Sequence, residues 1–212
     1  MSERRASEPL DAPDPPPERK LGRRSRAALR RIQSRIERYY ALETAPDVVE
    51  FAAAGAEGER EVLLVKESDA ALELALVVPG TAPRAGANDL WLQLLEGVSH
   101  FVFVAERART GLPATQLELE LQAEIDKFVL LALEPDGSHR ARGFELHRQL
   151  FAEPTFLHAP DTELGRRYRL AHDVAARLAA RLLEREPSDA RALLQRFYRA
   201  GQTEKLTLAR AA

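Results

Sequence analysis

One glutamate in the middle of this chain lies where a helix would normally be apolar. In the predicted helix from Thr115 to about Leu133, Glu124 falls inside the apolar stripe and Glu120 lies at its edge. An ionised carboxylate on a buried face needs a cationic partner, a metal ion or a raised pKa, because burying it alone is expensive. Arginine is abundant here, so the sequence favours a structural ion pair between Glu124 and an arginine. The alternative is that Glu124 is an acid–base group or a ligand.

The preceding predicted helix carries a second polar stripe. It begins at Asn88 or Asp89, ends near Arg109 and is apolar on most sides, which is typical of a buried helix. Four polar side chains nevertheless share a sector of about 60° on its helical wheel: Gln93, Glu96, His100 and Arg107. Glu96 and His100 are one turn apart and can contact each other on the helix surface. The pattern favours an exposed edge, and a wall of a wet cleft is the alternative.

A third helix, predicted from Asp161 to about Glu186, brings a tyrosine and a histidine to one side. Tyr168 and His172 are one turn apart, at the edge of the buried stripe and among small residues that let another helix come close. A half-buried histidine at such an edge is typically hydrogen-bonded to a carbonyl or a carboxylate. The pattern therefore favours a structural role for His172 and leaves a role in a pocket as the alternative.

If these helices meet, their polar side chains would line one pocket. The lining would be Glu96, His100, Glu124, Tyr168 and His172, with Glu124 as the acid–base group or ligand. The five histidines show no metal-ligand spacing among themselves. A metal site would have to be assembled from separate helices, and one carboxylate with two imidazoles is a plausible ligand set. The sequence alone assigns no metal ligand, cofactor or reaction.

Several classes of protein are excluded by missing motifs. The chain has no GxxxxGK[ST] phosphate loop, no GxGxxG, no HExxH and no GxSxG. It has no cysteine, which rules out a thiol nucleophile, a cysteine-ligated zinc site and an iron–sulfur cluster. No run of 18 apolar residues occurs, so the sequence predicts no membrane span.

The elements that would position these residues predict an α+β fold. Glu61–Lys66 and Ala70–Val78 are rich in valine and leucine and predict a β-hairpin, with Val48–Ala53 as an earlier third strand. The expected architecture is an N-terminal two- or three-stranded antiparallel β-meander packed on a mainly helical bundle. Residues 44–212 would form one domain, with strands in 44–79 and helices in 88–210. Further predicted helices cover Phe144–Phe151 and Ser188–Tyr198, and Ser188 is the expected cap of the last one.

The N-terminal region has a different character. Residues 1–22 are proline-rich and predict a disordered tail. Residues 23–43 predict a basic amphipathic helix whose apolar stripe is Leu29, Ile32, Ile36 and Tyr40. The formal net charge of −2 averages this basic region with an acidic middle. The stripe is expected to pack on the protein's own acidic middle, and docking of the helix on an anionic partner is the alternative.

Two functions follow as hypotheses. The first is a soluble cytoplasmic interaction or scaffold module that binds a protein partner, or a nucleic acid, through Arg30, Arg31 and Arg35. The second is an enzyme or a ligand- or metal-binding protein with a polar pocket around Glu124, His100 and His172. A homo-oligomer through the C-terminal helices is also left open. The geometry of Glu124 discriminates the two: contact with a histidine beside a cavity favours the pocket, and contact with an arginine in a closed core disfavours it.

Overall fold

A computed structural model describes residues 21–43, 45–56, 59–67, 72–79, 87–133 and 139–210. Their fold is α+β and mostly helical, as the sequence predicts. The strands are β1 (Ala52–Ala54), β2 (Val62–Glu67) and β3 (Leu72–Val78), preceded by a short 3₁₀ helix at Val48–Glu50. The helices are α1 (Arg23–Tyr40), α2 (Ala87–Arg109), α3 (Gln116–Ala132), α4 (His139–Phe151), α5 (Glu163–Glu184), α6 (Pro187–Arg199) and α7 (Gln202–Arg210). The predicted disordered tail lies almost wholly in residues 1–20, outside the described residues.

The sheet is mixed, so the predicted antiparallel meander is wrong. β2 and β3 form the expected antiparallel hairpin, but β1 pairs in parallel with the other edge of β3, in the order β1-β3-β2. Ala54 at the end of β1 pairs with Val78, and Val62 at the start of β2 pairs with Val77. Both pairs therefore lie at the same end of β3. Side-chain alternation reports which face of a strand is covered and carries no information about strand order.

The helix ends follow local signals in most places. Thr115 and Glu118 form the predicted capping box at the start of α3, with Thr115 Oγ1 accepting from the Glu118 amide at 3.2 Å. The predicted Ser188 cap is wrong. α6 begins at Pro187 after Glu186, because proline fits the first helical position, where no amide hydrogen bond is lost. The chain then breaks at Ala200 and Gly201 before the short α7.

α1 packs against the rest of the domain. Its predicted stripe of Leu29, Ile32, Ile36 and Tyr40 is fully buried. The Tyr40 hydroxyl donates to Asp126 Oδ1 of α3 at 2.5 Å. The basic helix is therefore part of the hydrophobic core, as the favoured reading of its apolar stripe predicts.

The C-terminal aromatics also belong to the core. Phe197 and Tyr198 are buried, whereas the flanking Arg196 and Arg199 are exposed. Tyr198 packs on Tyr40 with ring centroids 4.4 Å apart, which joins α6 to α1.

None of the helices in the described part of the chain combines the length and apolar character needed to cross a membrane.

Candidate functional site

A cavity of about 530 Å³ lies between α2, α3, α5, the start of β2 and the loop after α4. Three helices each contribute a pair of residues four apart at or beside it: Glu96 and His100 from α2, Glu120 and Glu124 from α3, and Tyr168 and His172 from α5. Residues four apart share one face of a helix, so each helix needs only one orientation to present both. The structure thus brings all five predicted pocket residues together. His100 belongs to a cluster with Glu96 and Glu120 and does not itself line the cavity.

Glu124 pairs with a lysine and a histidine, so the predicted arginine partner is wrong. Lys127 Nζ lies 2.9 Å from Glu124 Oε1 and 2.8 Å from Glu96 Oε2, bridging the two carboxylates. The other oxygen of Glu124 lies 3.2 Å from His172 Nδ1. Burial alone would raise the pKa of Glu124, but the positive charge of Lys127 and the His172 contact outweigh it and lower the pKa to about 2. Glu124 is therefore a fixed anion at neutral pH.

His172 is held at both ring nitrogens. Nδ1 faces Glu124, and Nε2 lies 3.3 Å from the Phe151 carbonyl oxygen. Both partners only accept hydrogen bonds, so the ring satisfies both when it carries two protons. Burial lowers the pKa of His172, but Glu124 and the Phe151 carbonyl more than compensate and leave the pKa raised. The doubly protonated His172 ring is thus suited to holding Glu124 in position. It has no free nitrogen that could act as a base.

The pKa of His100 is shifted in the opposite direction from that of His172. Burial lowers the pKa of its ring, which is therefore neutral. The ring hydrogen-bonds the backbone of Leu119, and Nε2 is buried with no hydrogen-bond partner. A buried polar atom without a partner is rare in folded proteins and calls for a ligand, a water or an ion.

Two carboxylates lie close to His100. Glu96, His100 and Glu120 each offer one ligand atom, and these three atoms lie within 4.8 Å of one another. Glu120 also interacts with the Tyr168 side chain through a hydrogen bond. Burial, followed by repulsion from Glu96, raises the pKa of Glu120 to about 7. Burial and the neighbouring Glu96 therefore both disfavour the ionised form of Glu120.

The sequence did not identify three members of this site. Glu120 was placed only at the edge of a stripe, and Lys127 and Glu61 were not singled out. Lys127 had a local signal, because it follows Glu124 by three residues and so shares its helix face. Glu61 had none, since it precedes β2 and reaches the cavity only through the packing of the sheet on α2.

Gly97 allows that packing. A Cβ atom at Gly97 would lie 2.9 Å from Leu76 Cδ1 and 3.5 Å from Glu61 Cβ, so the glycine lets the sheet approach α2 closely. Glu61 Oε2 is consequently buried beside Glu96, without a hydrogen-bond partner. Burial and the charge of Glu96 raise the pKa of Glu61 to about 7. Glu61 therefore adds another carboxylate to the cavity wall.

The arginines predicted as partner contacts lie elsewhere, on α1. Arg30 is exposed and pairs with Asp47 at 2.7 Å, and Arg31 is exposed. Arg35 is half-buried and donates to the Leu130 carbonyl oxygen, which ties α1 to α3.

No protein-family model, curated protein or solved structure matches this chain.

Proposed function

We propose that this chain is a metal-binding protein, which holds a divalent transition-metal ion at Glu96, His100 and Glu120 and presents it to a small molecule in the cavity. The observation that carries the proposal is the His100 ring, whose buried Nε2 has no hydrogen-bond partner and which offers a ligand atom within 4.8 Å of atoms from Glu96 and Glu120. Leaving such an atom unpaired costs roughly 1–3 kcal/mol, which a bound metal ion would offset. A bound ion would act as a Lewis acid or lower the pKa of a bound water.

The donor set favours particular metals. One imidazole nitrogen and two carboxylate oxygens suit manganese, iron(II) or zinc better than magnesium, which prefers oxygen ligands alone. Metal–ligand distances of about 2.0–2.2 Å require ligand atoms within about 4.4 Å of each other. The three atoms lie within 4.8 Å of one another, so their side chains would have to draw closer around such an ion.

Each proposed ligand has a partner that fixes its orientation. The Leu119 backbone holds His100, Lys127 holds Glu96 at 2.8 Å, and the Tyr168 side chain bonds Glu120. Metal-binding histidines commonly donate their second nitrogen to a carbonyl, and ligating carboxylates are commonly hydrogen-bonded in the same way. This arrangement supports the proposal because ordinary surface clusters of acidic residues lack it.

The charge of the cavity supports a cationic ligand as well. Arg60, Arg167 and Lys127 all lower the pKa of one or both of Glu61 and Glu120, yet burial and repulsion still raise both values to about 7. A divalent cation would relieve that repulsion. Glu120 is a proposed ligand and must lose its proton when the ion binds, so binding should tighten as pH rises through about 7.

We expect the chelator-treated protein to bind one equivalent of Mn²⁺ or Zn²⁺, measured by isothermal titration calorimetry. His100→Ala and Glu120→Gln should each weaken binding by at least about 100-fold, because each removes a ligand atom. Tyr168→Phe should weaken it by about tenfold, which is typical of losing an outer partner. Glu73→Gln, at an exposed carboxylate of β3, is the matched control and should bind as the wild type does. Equal affinities in His100→Ala and the control would contradict the proposal.

The interaction module is a second candidate, favoured by the exposed basic face of α1. Six of its arginines are exposed while the apolar stripe is buried, so the charged side alone is available to a partner: Arg23, Arg24, Arg26, Arg30, Arg31 and Arg38. An acidic protein segment is the partner that we favour for this surface, and a nucleic acid is the alternative. Deleting the helix would remove part of the core, so substitutions of exposed arginines are the appropriate test.

A triple variant with Arg24, Arg26 and Arg31 changed to alanine should fold normally. We expect it to bind a labelled polyglutamate peptide at least about tenfold more weakly than the wild type at low salt, measured by fluorescence anisotropy. Wild-type binding should weaken steeply as salt rises, because charge drives it. Alanine at the exposed Arg142, Arg148 and Arg177 is the control for net charge. Equal losses in both triple variants would show that α1 has no special role, and tighter binding of duplex DNA would favour the nucleic acid.

A further inference from the structure

The cavity beside the proposed metal site has a mixed lining. Glu96, Glu120 and Lys127 are among its charged residues, and Leu92, Leu150, Phe156 and Leu157 are among its apolar ones. Its volume of about 530 Å³ falls within the range of about 300–1,000 Å³ that is typical of small-molecule sites. A ligand that fills it would meet both charged groups and hydrocarbon.

The loop after α4 is anchored on both sides of one exposed leucine. The Phe156 ring packs edge-on against His172, with centroids 5.5 Å apart, and under the Arg169 guanidinium at 4.4 Å. His158 stacks on Tyr168 at 5.6 Å, and its carbonyl accepts from Arg169 at 3.0 Å. Leu157, between these anchors, is 71% exposed although it lines the cavity. A large apolar side chain held at a cavity in this way offers hydrocarbon surface to an occupant.

The proposed metal ion would leave positions open to that occupant. Three protein ligands do not complete the four to six positions that such ions fill, so an oxygen of a small molecule can take the remainder. Lys127 and Gln93 also line the cavity and can donate hydrogen bonds to an oxygen-bearing group. The other end of the occupant would lie where the leucines are.

We propose that the cavity binds a small amphiphilic molecule, whose oxygen head group coordinates the metal ion and whose apolar tail lies on Leu92, Leu150 and Leu157. This inference rests on the proposed metal site and specifies its ligand class. Burying a methylene group against such a wall is favourable, so affinity should grow with tail length until the wall is covered.

The test compares two hydroxamic acids with the same metal-binding head. Calorimetry with Mn²⁺-saturated protein should show octanohydroxamate binding at least tenfold more tightly than acetohydroxamate. Leu157→Ser should reduce this ratio at least threefold and leave acetohydroxamate binding unchanged. Leu112→Ser is the matched control, because Leu112 is 46% exposed and lies outside the cavity lining. It should keep the wild-type ratio.

Two failures are distinguishable. If the protein does not bind Mn²⁺, the proposed metal site is wrong and this inference falls with it. If Mn²⁺ binds but the two hydroxamates bind equally, or Leu157→Ser keeps the wild-type ratio, the metal site stands and the amphiphilic ligand is wrong. Octanohydroxamate binding that persists undiminished without Mn²⁺ would show that the head group does not coordinate the metal, which also overturns the inference.

Discussion

Replacing Lys127 with methionine is expected to lower the free energy of unfolding of the metal-free protein by about 3 kcal/mol at pH 7, measured by urea denaturation. Lys127 is the ammonium that bridges Glu96 and Glu124, at 2.8 and 2.9 Å. Methionine keeps most of the side-chain volume but leaves both carboxylates without this cation. Losing one partner of a buried ion pair typically costs about 3–5 kcal/mol. The lower end applies because the three side chains are 14–24% exposed at the cavity wall.

The control for this prediction is another lysine–glutamate pair. Lys66 pairs with Glu73 at 3.2 Å, but both side chains are mostly exposed, so Lys66→Met should cost less than about 0.5 kcal/mol. Adding Glu124→Gln to Lys127→Met should recover part of the loss, because the double variant leaves one fewer carboxylate unpaired. A loss below about 1 kcal/mol for Lys127→Met would mean that cavity water solvates Glu96 and Glu124 well enough without the lysine.

Between pH 7 and pH 9.5, the free energy of unfolding of the wild type is expected to rise by about 2 kcal/mol relative to that of a Lys205→Met variant. Lys205 is fully buried in α7, where its Nζ donates to Gln122 Oε1 at 2.7 Å. Burial, followed by the positive charge of Arg107, lowers the pKa of Lys205 to about 7. In the unfolded chain its pKa is close to the ordinary value of about 10.4.

The sign follows from counting protons. Above pH 7 the folded protein has released the Lys205 proton while the unfolded chain still holds it, so stability rises with pH until the unfolded chain releases it as well. The slope is at most about 1.4 kcal/mol per pH unit. Phe197 and Phe103 lie 4.3 and 4.8 Å from the ammonium, and their faces attract it, which reduces the gain.

Denaturation curves at several pH values would measure this effect. Subtracting Lys205→Met from the wild type cancels the titration of every other group that the substitution leaves unchanged. The difference between the wild type and Lys66→Met should stay flat over the same range, since Lys66 is exposed. A flat difference for Lys205→Met as well would mean that Lys205 stays protonated in the folded protein.

The two lysines show why the site was only partly predictable. Lys127 and Lys205 both enter the interior from amphipathic helices, and their own sequence neighbourhoods do not separate them. Two carboxylates outweigh burial and raise the pKa of Lys127, whereas burial and the positive charge of Arg107 lower the pKa of Lys205. The opposite outcomes depend on which elements pack around each ammonium group.

The two histidines of the site were also only partly predictable from the sequence. Helical periodicity favoured an exposed edge for the stripe that carries Glu96 and His100, whereas two members of that stripe, Gln93 and Arg107, are buried. The same periodicity placed His172 at the edge of a buried stripe, beside Tyr168. It could not indicate that His172 would use both nitrogens and that His100 would keep one free. That difference arises from the Phe151 carbonyl and from Glu124, which lies 48 positions from His172 in the chain.

The sequence by itself determined the local features of this protein. Apolar periodicity identified the stripe of α1 and the hairpin of β2 and β3, and Thr115 with Glu118 marked the start of α3, because interactions within a few residues control these features. Only the tertiary structure decided the strand order, the partners of Glu124 and the inclusion of Glu61. Those depend on which surfaces pack together, and packing joins residues far apart in the chain that no local pattern relates.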